Sequence, residues 1–449
     1  MSADGSPTSS HVFPRSMRVR PPVAVSGEGC YLIDANGKHY FDGSGGAAVS
    51  CLGHGDPEII AAIKTQLDQL AFAHTGFLSS QPAEDLANLL AAHSPGDLNH
   101  VYFVSGGSEA VEAALKLARQ YHLENGQPQR SRFIARRQSY HGNTLGALGV
   151  GGNQWRRAQF EPLLATNVSH IDPPYAYRLQ EEGEDDEAFA LRMADQLEAE
   201  LQRVGPETVI AFIAETVGGA TAGAVAGPPA YLQRIREICD RHGVLLILDE
   251  VMCGMGRTGH LFACDEDGVI PDILCIAKGL GAGYQPIGAM LCSETIYATI
   301  ENGSGLFQHG HTYLGHPVAC AGSLAVIRAL LGRGLIARSK AQGEKLFAAL
   351  TERFGQHAHV GDIRGRGMFR ALEFVADRET RAPFDKAKGL AAKVKKAAFE
   401  AGLICYPMAG TIDGVSGDHV LLAPPFITTD EQLTEICDKL EVALTAALT

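Results

Sequence analysis

Lys278 lies in a glycine-rich stretch, Ile276-Ala277-Lys278-Gly279-Leu280-Gly281-Ala282-Gly283, downstream of an acidic pair, Asp249-Glu250, that closes the apolar run Val244–Leu248. These residue types suit one chemistry. An amine that forms a Schiff base with an aldehyde needs a short, mobile backbone around it. A pyridine ring that acts as an electron sink needs a carboxylate to keep its nitrogen protonated. A carboxylate at the end of an all-apolar strand also bears a heavy desolvation cost unless a donor meets it. A pyridinium N–H would serve Asp249, as would an arginine or a helix cap. Glu250 points to the opposite strand face and reads as structural. Gly279, Gly281 and Gly283 would let a cofactor approach closely and let the lysine, read as the last residue of its strand, swing for proton transfer.

Two further groups could complete such a site. Ser105-Gly106-Gly107-Ser108-Glu109-Ala110 follows a predicted strand and opens a helix, a place where bare backbone N–H groups favour an anion such as phosphate. The plain alternative is a tight connection. Tyr140 and His141 follow the next predicted strand, where an aromatic could stack on a planar ring because ligands of α/β sheets bind at that edge; the alternative is a core tyrosine. His309 and His311 form an H-x-H pair, which reads as loop packing rather than a metal site.

The elements that must hold these residues are legible as alternating apolar runs and helical patterns. Strands are predicted at Val101–Val104, Arg132–Ala135, Val209–Glu215, Val244–Asp249, Ile273–Ala277 and Ile287–Cys292. Between them, helices are predicted at about Ser108–His122, with Glu112 and Lys116 as an i,i+4 pair, and at Tyr231–His242, stopped by Gly243. The alternation predicts an α/β domain on a largely parallel sheet. From about residue 331 the pattern changes to helix, short strands near Phe369–Phe374 and His419–Leu422, and a last helix from about Thr429, which reads as a separate α+β lobe.

Bulk properties set limits. A chain of 449 residues is too long for one small core. A formal net charge of -13 argues against nucleic acid as a partner. The acidic run Glu181–Glu187 reads as a solvated loop, and residues 1 to about 10 as disordered. Ten cysteines without a C-x-x-C spacing read as free thiols of a reducing cytoplasm. No apolar run approaches membrane-spanning length.

The motifs together resemble the class III pyridoxal-phosphate aminotransferases, the ω-aminotransferase group of the aspartate-aminotransferase fold. The matching blocks are Ser-Gly-Gly-Ser-Glu-Ala (105–110), Ser-Tyr-His-Gly (139–142), Leu-Asp-Glu-Val-Met-Cys-Gly-Met-Gly-Arg-Thr-Gly (248–259), Pro-Asp-Ile (271–273), Ala-Lys-Gly-Leu (277–280) and His-Gly-His-Thr-Tyr-Leu-Gly-His-Pro (309–317). The resemblance implies an α/β fold of PLP type I. A large cofactor domain would span 61–330 and a small α+β domain 331–449, joined by the N-terminal segment 1–60. It implies that Lys278 holds pyridoxal 5'-phosphate and shuttles a proton, that Asp249 pairs with the pyridinium, and that Val251 and Tyr140 sandwich the ring. Gly107 and Ser108 would take the phosphate with Thr312 of the other subunit of a homodimer. His141 and Glu215 count among the cofactor-binding positions. The implied reaction moves an amino group from a primary amine or ω-amino acid to a keto acid, with pyruvate the expected acceptor, by a ping-pong route. A decarboxylating transaminase or an aminomutase is the alternative outcome.

This sequence departs from the wider family in places. Met252 and Cys253 follow Asp-Glu-Val, and Glu215-Thr216-Val217-Gly218-Gly219 replaces Glu-Pro-x-x-Gly. The arginine that clamps a carboxylate in many amine:pyruvate enzymes should fall near Tyr406, so that carboxylate needs another partner or is held less tightly. Arg364 and Arg366 are candidates.

Overall fold

The computed structural model describes residues 10–449; the disorder expected for residues 1 to about 10 falls outside them. Fifteen strands are found among the described residues: β1 (Ala24–Glu28), β2 (Tyr31–Asp34), β3 (His39–Asp42), β4 (His100–Val104), β5 (Arg132–Arg136), β6 (Val168–Ile171), β7 (Val209–Glu215), β8 (Leu245–Asp249), β9 (Ile273–Ile276), β10 (Gly288–Cys292), β11 (Val360–Arg366), β12 (Phe369–Phe374), β13 (Leu403–Ile404), β14 (Tyr406–Ala409) and β15 (Asp418–Leu422).

The six strands predicted in the middle of the chain, joined by β6, which was not predicted, form a seven-stranded sheet in the order β4-β10-β9-β8-β7-β5-β6. Strands β6, β5, β7, β8 and β9 pair in parallel. β7, β8 and β9 are buried at every residue, which a strand covered on both faces requires. Alternation along β8 sends Leu246 and Leu248 into one apolar cluster and Leu245 and Ile247 into the other. The helix Gly107–Glu124 covers the second cluster with Val111, Leu115, Ala118 and His122, all buried as expected. The helix Pro229–His242 covers the first with Ile235 and Ile238 and stops at Gly243 in the left-handed conformation.

The sheet is largely parallel, as expected, with β10 the exception: it runs antiparallel to both β4 and β9, because the chain turns back at the sheet edge where Lys278 lies instead of crossing over through a helix. Other expectations need correcting. Lys278 is not the last residue of its strand but opens a short turn, Lys278–Leu280, with φ at +45°. Glu112 does not pair with Lys116. It accepts the N–H groups of Gly146 (2.8 Å) and Ala147 (3.1 Å) at the start of the helix Leu145–Val150, whose own cap residue gives none. The acidic run is exposed over most of its length, yet its end is helical: Asp185 caps the helix Asp186–Val204 by accepting Ala188 N–H at 2.8 Å, and acids favour a helix N-terminus.

Two smaller sheets flank this one. β1-β2-β3 is an antiparallel meander whose edge strand β3 pairs in parallel with β13, tying the start of the chain to its end. β11-β12-β15-β14 is wholly antiparallel. Among the described residues no single helix is long and apolar enough to cross a membrane.

Candidate active site

The C-terminal ends of four parallel strands meet at one sheet edge. β5 leads to Tyr140 and His141, β7 ends at Glu215, β8 ends at Asp249, and β9 leads to Lys278. With the turn Ser105–Ser108 after β4 and Val251 after β8, these residues line a cavity of about 470 Å³.

Asp249 sits at its floor, 3% exposed. One carboxylate oxygen accepts a hydrogen bond from His141 Nδ1 at 2.8 Å, and the other accepts Val251 N–H at 3.0 Å. Its partner within the chain is thus a histidine rather than an arginine or a helix end. With Nδ1 donating, His141 presents its other ring nitrogen, Nε2, which is buried and has no hydrogen-bond partner among the described residues. Glu215 is buried and holds the neighbouring backbone: it accepts Tyr140 N–H at 3.3 Å and Gly219 N–H at 2.9 Å. Burial raises its pKa, against the opposing pull of His141. Glu250 faces away as expected. It accepts the N–H groups of Ala263 (2.6 Å) and Cys264 (2.7 Å) and the hydroxyl of Thr216 (2.9 Å).

Burial also lowers the pKa of Lys278, while Asp249 and Glu215 pull it back up. An amine so placed carries less of its protonation into neutral pH and is a better nucleophile. Its left-handed backbone at φ +45° is strained for a lysine.

The turn Ser105–Ser108 is built as a cradle. A Cβ placed on Gly107 would lie 2.7 Å from Val251 Cγ1, so only glycine brings the helix start this close to the cavity wall. No side chain caps this helix, which leaves its first N–H groups to the cavity. Ser108 exchanges hydrogen bonds with Asn143: its hydroxyl donates to Oδ1 at 2.9 Å and accepts the backbone N–H at 3.0 Å. Thr312 is exposed and does not line the cavity of its own chain. His309 packs in its loop against Tyr102 and Phe307, with Nδ1 3.3 Å from Lys116 Nζ.

Neither arginine offered by the sequence for a carboxylate reaches the cavity. Arg364 is committed to Asp362 (2.8 Å), Glu373 (2.7 Å) and the carbonyls of Ala222 and Gly223. Arg366 makes a two-pronged bond to Asp267 at 2.8 and 2.9 Å. Tyr406 is half-buried on β14. Sequence reasoning missed Gln285, which lines the cavity, and Arg156, whose guanidinium lies 4.4 Å from the centre of the Tyr140 ring. No motif marks either.

Residues 13–444 match the family model described as aminotransferase class-III. An uncharacterized aminotransferase of Schizosaccharomyces pombe is 44% identical over 447 residues, covering 100% of this chain and 97% of that protein. A tomato protein named gamma aminobutyrate transaminase 3, chloroplastic, is 36% identical over 435 residues, covering 96% of this chain and 81% of its own. Among solved structures, an (S)-enantioselective omega-transaminase from Thermomicrobium roseum superimposes with a TM-score of 0.92 at 37% identity, covering 98% of this chain and 97% of that one. An amine transaminase from an uncultivated Pseudomonas species, solved in its PLP-bound form, gives a TM-score of 0.88 at 37% identity with the same coverage.

Proposed function

The chain belongs to the class III aminotransferases, whose cofactor is pyridoxal phosphate, and we propose that it moves an amino group from a primary amine or ω-amino acid to pyruvate in two alternating half-reactions. The observation that carries this reading is the convergence of an amine, a histidine-held carboxylate, an aromatic ring and a bare helix start on one cavity. The tomato relative's name supports an ω-amino acid as donor.

The residues present fit the cofactor. Lys278 would bond its aldehyde carbon, Asp249 would face its ring nitrogen, Val251 and Tyr140 would flank the ring, and Gly107 and Ser108 would hold its phosphate. When bound, the cofactor supplies an electrophilic carbon and a protonated ring that withdraws electrons from the substrate.

The chain's own residues do the rest. Lys278 Nζ, with its pKa lowered by burial, is the group that takes and returns the substrate Cα proton. His141 and Val251 N–H fix both oxygens of Asp249, so the carboxylate keeps one orientation toward a ring nitrogen. Glu215 holds the backbone of Tyr140, and through it the height of the aromatic wall. Thr312 of a second copy would complete the phosphate site of a homodimer. We place the enzyme in the cytoplasm, a compartment that suits ten buried, unpaired cysteines.

The test is an absorbance titration of the purified holoenzyme with candidate amines in the absence of keto acid. A donor should convert the cofactor spectrum, and pyruvate should restore it. Lys278→Ala should abolish turnover while the cofactor still binds. Asp249→Asn should lose several orders of magnitude in rate. If no amine converts the spectrum, the transaminase reading fails. Restoration by 2-oxoglutarate alone would overturn pyruvate as acceptor.

A further inference from the structure

The charged residues lining the cavity are Glu215, Asp249 and Lys278, with His141 beside them. A keto acid entering it brings another negative charge toward two carboxylates, while Lys278, the one cationic lining group among the described residues, is engaged in the chemistry. Arg364 and Arg366 are tied to acids elsewhere, and position 406 holds a tyrosine. A carboxylate substrate therefore needs a cation from just outside the lining.

Arg156 meets that need. It stands on the short helix Gln154–Arg157 and stacks over Tyr140, which itself lines the cavity, with 4.4 Å between guanidinium carbon and ring centre. Its Nε is buried without a hydrogen-bond partner, and no acid pairs with it among the described residues. Its chain neighbour Arg157 is turned away into backbone contacts, donating to the carbonyls of Leu148 (3.2 Å), Gly149 (2.5 Å) and Gly151 (2.7 Å). The charge of Arg156 reaches Lys278, where it adds to the lowering of the amine's pKa.

The helix that carries it is held by the loop that follows β14. Asn153 caps the helix by accepting Arg156 N–H at 3.1 Å, and its Nδ2 donates to Gln138 Oε1 at 2.8 Å. Gln138 in turn donates to the carbonyls of Gly410 (2.6 Å) and Thr411 (3.0 Å), in the loop between β14 and β15. In the same loop a Cβ on Gly414 would lie 3.2 Å from Trp155 N.

We propose that Arg156 receives the carboxylate of the keto-acid acceptor, and that the loop 410–417 acts as its support. This rests on the transaminase reading above. A guanidinium stacked on an aromatic face keeps its N–H edges open, which is the geometry a two-pronged carboxylate contact needs.

The experiment compares wild type, Arg156→Gln and Arg156→Lys as holoenzymes, with a carboxylate-free primary amine as donor. The acceptors are pyruvate and butanal, which lacks the carboxylate. In Arg156→Gln the ratio of kcat/KM for pyruvate to that for butanal should fall roughly 10- to 100-fold, mostly through KM for pyruvate. Arg156→Lys should recover part of the ratio, since it keeps the charge without the fork. Calorimetric titration of propionate, an unreactive carboxylate, into the holoenzyme should show binding weakened by a similar factor in Arg156→Gln. An unchanged ratio, or equal propionate affinity in wild type and Arg156→Gln, overturns the assignment and leaves Arg156 as a support for Tyr140. Should wild type use neither acceptor, the transaminase reading has failed, and the propionate titration alone decides Arg156.

Discussion

Asp249 and Glu250 are adjacent acids with opposite surroundings, and the strand's alternation is the reason. Asp249 faces a histidine and the cavity. Glu250 faces three neutral donors and no cation, and burial pushes its pKa up to about 7 from an ordinary 4.5. The folded chain therefore binds this proton more tightly than the unfolded chain does. Between about pH 4.5 and pH 7 the group lowers stability as pH rises, and above pH 7 the loss is complete, at about 3 kcal/mol. Thermal midpoints at pH 5 and pH 8 should differ less in Glu250→Gln than in wild type; an equal gap would show that Glu250 is not the titrating group. The meeting of Asp249 and Lys278 on one cavity was legible at this scale, because an acid closing an apolar strand and a lysine among glycines are each hard to explain as surface charges. Arg156 was not. It lies in a segment without periodicity, and its significance depends on a ring at position 140 and a loop near position 410.

Elements carry the site by where they end. The strands that were predicted fall within a residue of those observed, since most are continuous apolar runs, whereas β1, β2, β3, β6, β11, β13 and β14 were not predicted, being short or only partly buried. The direction of β10 was not readable, because Gly288–Cys292 has the same buried pattern whichever way it runs. The Glu112–Lys116 pair was misread because helix spacing ignores the unpaired N–H groups of another helix nearby. The glycine turn before the helix Gly107–Glu124 gives the sharpest test at this scale. Gly107→Ala drives a methyl group into Val251 and should cost about 1–3 kcal/mol, with weaker cofactor retention. Adding Val251→Ala should return much of the thermal stability, so the two substitutions should be strongly non-additive. Additive losses would mean that the turn is limited by something other than this contact.

At the scale of the molecule, we propose that the described part of the N-terminal segment, 10–60, and residues 331–449 form one lobe and 61–330 the other, on the support of the β3–β13 pairing. We also propose that the working unit is a pair of chains, since Thr312 is exposed and lies off the cavity lining of its own chain. Thr312→Ala should weaken cofactor binding. Mixed with Lys278→Ala chains, it should regain activity, because one site of each hybrid dimer then holds both native residues. No recovery on mixing would place Thr312 outside the partner's site. The reversal at β10 has a consequence for every turnover. The segment from Ala277 to Ile287 leaves the sheet from β9 and returns to it through β10, a strand hydrogen-bonded on both edges. The entropy of closing that loop, on the order of 2 kcal/mol, is lost once, when the chain folds. A lysine on an untethered arm would forfeit freedom each time it engaged a substrate. Here its anchor stays in register between catalytic cycles, and only the side chain has to move.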